Sequence, residues 1–327
     1  MNMADIRKFA GTNSFILPMF GFLAAVVIIV VGPNVFIGTN KPAKTPTAVE
    51  SLKWINPIED GQGAIRDRTA RSVMQMAKLL LLVICACCLA KNCILVARGW
   101  RTHGRYKWAV CGMGLVLIYA CIFFVNSSWN PFWVSSVPYS LFKSACSITG
   151  SERLLVTSVW THRLVQITLI SFAVVVSFEV AKTTNSISSI ATQLKNIRTL
   201  LFQSALVLFC LSIAGASNVL WASALLPTAD SSFAQKLAMG VAMDAGVYNL
   251  VLLAFVFSPA IWTVTHRVPD VVRETLAFSS TDEERNKVME TYGLVSTPAD
   301  YYWQVGSMFS PLLGGIPFTA MLTFLVK

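Results

Sequence analysis

Hydrophobic residues lie in long, nearly uninterrupted runs, separated by stretches rich in charged and turn-forming residues. Several of these runs approach the roughly 20 residues that a helix needs to cross a bilayer. The strands of a membrane barrel would instead alternate apolar and polar residues over segments of about 10. The pattern therefore predicts an all-α protein, a polytopic bundle of transmembrane helices. Six runs are predicted to be spans: residues 15–31, 76–97, 108–125, 164–182, 200–226 and 237–264.

The two ends of the chain add membrane-associated segments to this bundle. Residues 1–33 are predicted to be a retained anchor, because Gly32 and Pro33 follow the apolar run where a signal peptide would show a small-residue cleavage site. Near the other end, prolines and glycines break the apolar run 308–326. Irregular backbone at membrane depth must be covered by protein or water, so this run is either a seventh, kinked span or a re-entrant segment.

The polar stretches divide the chain into five parts. The loop after the anchor ends in a helical pattern at 64–75, and the aromatic-rich stretch 126–163 is predicted to place a short helix on the outer membrane surface. The parts are an anchor (1–33), an extracytoplasmic loop (34–75), helices two to four with the aromatic segment (76–182), a cytoplasmic helical extension with helices five and six (183–264), and cytoplasmic helices with a membrane-associated segment (265–327).

The composition agrees with a membrane protein and argues against several other classes. Hydrophobic residues make up 55% and charged residues 13% of the chain, whereas soluble domains average about 25% charged. Seven of the eight cysteines lie in or beside apolar runs, so packing between helices explains them better than a disulfide framework or a metal site. The three histidines are scattered, with no cluster of acids or nucleophiles beside them. This pattern argues against an enzyme and points to no cofactor.

The net charge of +10 comes from basic residues that cluster beside the apolar runs. Four Lys or Arg residues in the short loop 98–107 predict that this loop, and with it the N-terminus, is cytoplasmic. Three arginines within 66–71 would lie on the opposite, extracytoplasmic side, against this rule. Asp67 is expected to neutralise part of their charge. Attraction to the lipid bilayer explains the basic charge without nucleic acid, for which no recognition module is present. The bacterial inner (plasma) membrane is the expected location.

One acid, Asp244, lies inside the sixth apolar run. If helices five and six form a symmetric hairpin centred near Ser231, Asn218 and Asp244 lie at equal depth, 13 residues on either side. With Ser217, and with Asn249 one to two turns deeper, they are predicted to form a polar cluster on an ion or proton path. One alternative is an interhelical polar clamp, and a second places Asp244 at the headgroup boundary.

Helices two and four also carry buried charges. Both helices are predicted to run from the outer to the inner side, so Lys91 and Glu179 lie at similar depth near their cytoplasmic ends. Charges in hydrocarbon need partners, which makes this a candidate ion pair. The alternative is that both side chains reach the inner headgroups independently.

Apolar residues spaced 3, 4, 3 and 4 apart precede helix five. This heptad spacing predicts a self-association seam on a helix that projects into the cytoplasm. The alternative is that the same stripe packs on another element of its own chain. The seam consists of Ile187, Ile190, Leu194, Ile197 and Leu201.

The cytoplasmic region after helix six shows helix-boundary signals. Ser280 and Glu283 fit a capping box, with Ser280 as the N-cap, and Gly293 fits the end of the same helix. The polar cluster and the seam favour an oligomeric ion channel or pore. The alternative is a non-catalytic scaffold or sensor that binds a cytoplasmic protein partner through these helices. The predicted partners are therefore the lipid bilayer, further copies of the chain and a cytoplasmic protein.

Overall fold

The computed structural model describes residues 61–102, 136–182, 186–226, 228–276, 281–294, 306–307 and 309–310. Within these residues the regular structure is helical and no strand occurs, in agreement with the predicted all-α class. The helices are α1 (Gly61–Thr102), α2 (Ser136–Ile148), α3 (Glu152–Ala181), α4 (Ile187–Ala224), α5 (Thr228–Thr275) and α6 (Asp282–Thr291).

Four of these helices are long and apolar enough to cross a membrane, and they indicate a membrane protein. The candidate spans are Ala64–Ala97 in α1, Glu152–Ala181 in α3, Ile187–Ala224 in α4 and Ala238–Thr275 in α5. They contain or largely overlap four of the six predicted spans.

The other two predicted spans, at 15–31 and 108–125, lie outside the described residues. So do the predicted anchor and nearly all of 308–326. The count of six spans with a seventh or re-entrant segment therefore stays a prediction.

The helices extend further than the apolar runs that revealed them. Helix α3 begins at Glu152 rather than at residue 164, and α4 joins the polar extension and the fifth span in one helix that Ser186 caps. The polar stretch that joins the fifth and sixth apolar runs is largely helical, because α5 already begins at Thr228. After Pro227 that stretch contains no glycine or proline, so nothing in it breaks a helix.

Helices α1 and α3 run parallel and in register. Arg71 bonds Ser151, and two turns further along α1 Lys78 bonds Ser158. Near the other end of α1, the Asn92 side chain donates to Ser171. The separations are 80, 80 and 79 residues, and a constant offset of this kind arises only between parallel helices. This direction agrees with the predicted topology, in which helices two and four run the same way.

Helices α4 and α5 form an antiparallel hairpin with the most extensive packing in the described bundle. Across it, the Asn249 side chain donates to the Ser212 hydroxyl at 3.3 Å. The midpoint between these two residues falls at 230–231, where the sequence placed the centre of the hairpin. The symmetric register assumed for helices five and six is therefore close to the observed one.

Two apolar clusters follow one another along the bundle. The smaller cluster includes Met74, Phe142 and Trp221 and lies beside α2, so we call this end of the bundle the α2 end. The larger cluster includes Ile170, Ile197 and residues packed against α6, and we call its far end the α6 end. Helices α1, α3, α4 and α5 contribute to both clusters.

Large apolar side chains also cover the outside of the bundle. Helix α1 exposes Met76, Leu79 and Leu80, and α5 exposes Phe255 and Trp262, each by half or more of its surface. A soluble protein rarely leaves so many large apolar side chains exposed to water. In a membrane the same surface meets lipid chains, so the exposed faces support the membrane assignment.

The aromatic segment carries a short helix, as the sequence predicted. Four residues of α2 are buried against the ends of the longer helices, so α2 is packed into the bundle on one face. These are Leu141, Phe142, Ala145 and Cys146.

Helix α6 begins one residue later than its sequence signal suggested. The N-cap is Thr281, whose hydroxyl accepts from the Glu284 amide while the Glu284 carboxylate accepts from the Thr281 amide. The frame from Ser280 to Glu283 is therefore wrong by one residue. The observed frame places three acids in the first turn, where the helix dipole favours negative charge.

The predicted C-terminal stop of α6 is confirmed. Gly293 has φ +63°, and its amide donates to the Glu290 carbonyl. The next amide, of Leu294, donates to the Met289 carbonyl, which completes a Schellman motif. Leu294 is buried in the larger cluster and attaches the end of α6 to the bundle.

Candidate functional site

A layer of buried polar side chains separates the two apolar clusters. On α1, α3 and α4, the residues of this layer lie between positions of the smaller cluster and positions of the larger one. On α1, for example, Lys78 lies between Met74 and Leu81. We call this the polar layer, and its members are Lys78, Ser158, Thr161, His162, Ser217 and Asn218.

Lys78 is the buried cation of the polar layer. Only 5% of its surface is exposed. Its ammonium donates to the Ser158 hydroxyl and lies 5.1 Å from the centre of the Phe142 ring. No carboxylate of the described residues pairs with it. Lys78 was not among the predicted site residues, although a lysine inside an apolar run was a visible signal.

The predicted polar cluster is brought together only in part. Asn249 is buried in the α4–α5 contact, but its amide donates to Ser212 and to the Leu208 carbonyl rather than to Asn218. The Ser217 hydroxyl donates to the Ala214 carbonyl of its own helix at 2.8 Å. The Asn218 side-chain oxygen is buried without a hydrogen-bond partner within the described part of the chain.

Asp244 lies in α5, and its side chain is outside the described residues. Its part in the cluster therefore stays a prediction from the hairpin register. Ser212 is the partner that the sequence did not select. The short run of small residues from 212 to 217 had indicated that α4 approaches another helix closely there.

A second polar cluster connects three segments at the α2 end. The Asp67 carboxylate accepts a hydrogen bond of 2.8 Å from the Trp221 indole and pairs with Arg71 at 3.0 Å. Arg71 also donates to the Ser151 hydroxyl, and its guanidinium lies over the Trp221 ring at 5.4 Å. The carboxylate and the guanidinium compensate each other, so this cluster joins α1, α4 and the start of α3. The expected neutralisation by Asp67 is thus present for Arg71.

Cys146 lies beside this cluster, on α2. Burial raises the pKa of its thiol to about 11, although the nearby Lys78 and Arg71 oppose the shift. The thiol is therefore neutral at physiological pH and is not an activated nucleophile. Its surroundings suit packing rather than reaction.

At the α6 end, Glu179 is enclosed by polar partners on α3 and α4. It pairs with Lys182, and its second carboxylate oxygen accepts from Asn196 at 3.3 Å. Gln193 donates to the Glu179 carbonyl. Among the described residues the ion pair of Glu179 is therefore with Lys182, and the expected pair with Lys91 is corrected. A cation three residues along the same chain reaches the carboxylate at little entropic cost.

The end of α3 is also held from α5. The Arg267 guanidinium donates to the Val180 carbonyl at 2.8 Å, which satisfies an acceptor in the last turn of α3. With the contacts of Glu179, this bond fixes the relative positions of α3, α4 and α5 at the α6 end.

The five residues of the predicted seam are packed within the chain. Each is at least 93% buried, and all belong to the larger apolar cluster. This is the intrachain arrangement that the sequence analysis gave as the alternative to self-association. The residues are Ile187, Ile190, Leu194, Ile197 and Leu201.

In the part of the chain that the structure describes, no three His, Cys, Asp or Glu residues lie together in the manner of a metal site. No protein-family model matches the chain, and no curated protein or solved structure matches it either. The function must therefore be argued from the polar layer and the surfaces of the bundle.

Proposed function

We propose that the chain is a subunit of an oligomeric ion channel or pore in which the polar layer borders the ion path. The observation that carries this proposal is Lys78, a buried cation near the midpoint of the candidate span Ala64–Ala97. A charge at the centre of a membrane helix costs on the order of 2.5–3.5 kcal/mol, and such residues commonly mark ion pathways. Packing alone gives no reason to retain this cost.

The chemistry of the layer favours an anion as the permeating ion. The Lys78 ammonium and the amide of Asn218 can present hydrogen-bond donors, whereas the Ser158 hydroxyl already donates to the Leu154 carbonyl. Anion-selective pores are commonly built from lysine or arginine side chains in just this role. Asp244, at the same level by register, stays a predicted member of the path, and unchanged conductance in Asp244→Asn would remove it.

The proposal needs more than one closed bundle, because one chain closes the polar layer on both sides with apolar clusters. A continuous path then requires a neighbouring chain or a movement of the helices. The exposed face of α1 carries small residues at Ala86, Ala90 and Ala97, which permit close approach of a helix from another copy.

The first test is chloride flux in vesicles that contain the purified full chain. We expect Lys78→Met to reduce flux about ten-fold, the effect of losing roughly 1.4 kcal/mol of anion stabilisation. Lys143→Met is the matched control, because Lys143 is exposed on α2. Its flux should equal that of the unchanged protein.

The mass of the detergent-extracted particle gives the number of chains in the assembly. A particle of three or more chains is expected for a pore on a symmetry axis. Unchanged flux in Lys78→Met, with the particle mass preserved, would contradict a role for Lys78 in the path. A monomer without flux would favour the second function.

The second function is a scaffold or sensor that binds a cytoplasmic protein. Helix α6 supports it, because none of its residues is buried and its surface carries charges of both signs. Within the described residues, α6 contacts the bundle through Val288 and Met289 in its C-terminal half and through Leu294 after its end. In this case a variant without residues 281–291 would lose a co-purifying partner and keep its own particle mass.

A further inference from the structure

A groove of about 680 Å³ opens on the surface at the α6 end of the bundle. One wall is the N-terminal part of α4, and the other is the C-terminal turn of α6. The residues that give it chemical character are Thr192, Lys195, Arg198, Phe202 and Tyr292.

The charges along this groove are positive. Lys195 is exposed and Arg198 is half-buried, and none of the lining residues within the described part of the chain is acidic. Helix α4 contains no aspartate or glutamate along its length. The groove begins at Ser188, in the first turn of α4, where the helix dipole adds positive potential.

Two carbonyls at the end of α6, beside the opposite wall, are already occupied. At the C-terminal turn of α6, the carbonyls of Met289 and Glu290 already accept hydrogen bonds from the amides of Leu294 and Gly293. The groove is therefore suited to an anionic group that lies against α4.

The position of the groove relative to the apolar part of α4 indicates the rest of the ligand. The lining residues extend from Ser188 to Phe202, which is roughly 20 Å of helix. The long apolar run of α4 begins at residue 200. Phe202 lies just inside that run and is 55% exposed, while Tyr292 on the other wall is 48% exposed. Along α4 the groove is therefore basic first and apolar afterwards, which suits a ligand with a charged head and an apolar tail.

We propose that this groove binds an anionic membrane lipid, with the headgroup phosphate at Lys195 and the start of an acyl chain against Phe202. Basic pockets at the ends of membrane helices are suited to anionic headgroups, and each lysine near such a surface contributes about 1 kcal/mol. The proposal concerns the α6 end and does not depend on an ion path through the polar layer.

The test is native mass spectrometry of the full chain in detergent, titrated with short-chain phosphatidylglycerol. Phosphatidylcholine of the same chain length and inorganic phosphate are the comparison ligands. We expect one tight phosphatidylglycerol adduct. Lys195→Gln should weaken it about five-fold, the value of one lysine at an anionic headgroup. Lys287→Gln is the matched control, because Lys287 is an exposed lysine of α6 outside the groove.

A further variant separates lipid from free phosphate. Phe202→Ala should weaken the phosphatidylglycerol adduct and leave any binding of inorganic phosphate unchanged. Equal binding of phosphatidylcholine would overturn recognition of net negative charge. Displacement of the lipid by inorganic phosphate at equal concentration would assign the groove to a free anion instead. Equal effects of the two lysine variants would show that the adduct lies elsewhere.

Discussion

At the level of single residues, Asp67 determines how three segments meet. Its carboxylate contacts Trp221, which is 154 residues away in the sequence, and Arg71, which in turn reaches Ser151. The sequence indicated that Asp67 neutralises part of the basic charge around Arg71, but it did not indicate Trp221 or Ser151 as partners. These partners depend on the rotation of α1 and α4 about their axes, which an apolar run does not specify.

This arrangement predicts the effect of Trp221→Phe. Phenylalanine retains a ring against Phe142 but removes the indole N–H that donates to Asp67. A hydrogen bond to a charged group contributes about 1.5–3 kcal/mol, so the variant should be destabilised by about that amount. Denaturant unfolding in detergent measures the change in free energy.

The comparison for this variant is Trp160→Phe, since Trp160 is 57% exposed on α3. Its indole ring contacts only the Arg163 guanidinium among the ring contacts of the described residues. We expect a change below about 1 kcal/mol, the usual value of an exposed cation–π contact. Equal losses in both variants would mean that the Asp67 hydrogen bond contributes nothing beyond ring packing.

At the level of elements, the start of α6 can be tested against two adjacent N-cap positions, Ser280 and Thr281. Thr281→Ala should destabilise α6 by about 1 kcal/mol, because the hydroxyl that accepts from the Glu284 amide is lost. Ser280→Ala should leave α6 unchanged. Amide hydrogen exchange across residues 282–291 reports the local opening. Faster exchange in Ser280→Ala and not in Thr281→Ala would restore the frame expected from the sequence.

The existence of the long helices was predictable, while their ends were not. Continuous apolar runs are enough to place α3 and α5 in the membrane. The starts at Glu152 and Thr228 lie in polar sequence, where no apolar periodicity marks a helix. These turns are helical because the backbone hydrogen bonds of an existing helix propagate through any stretch that lacks a breaker.

At the level of the whole molecule, the sequence predicted the direction of the helices and the depth of their residues better than it predicted which side chains are in contact. Hairpin symmetry placed the centre of α4 and α5 close to its observed position, and it placed Asn249 one to two turns deeper than Asn218 without selecting its partner. Ser212 is the partner because it lies at the mirrored position and faces α5. Pairing Lys91 with Glu179 relied on depth alone, and the nearer Lys182 occupies that carboxylate.

The parallel register of α1 and α3 leads to a topology that labelling can test. If both helices span the membrane, Arg68 and Arg153, exposed near their starts, lie on one side of it. Ser188, exposed at the start of α4, lies on the other side. With the predicted cytoplasmic N-terminus, the first two positions face outward.

We therefore expect an impermeant maleimide, applied to intact cells, to label Arg68→Cys and Arg153→Cys in a cysteine-free chain. Ser188→Cys should react only after the membrane is opened, and Asp282→Cys in α6 is its control at the same end. The opposite result at all four positions would reverse the orientation and keep the fold. Labelling of Arg68 and Arg153 from different sides would contradict the parallel pair, since the offset of about 80 residues between α1 and α3 requires both helices to enter the membrane from the same side.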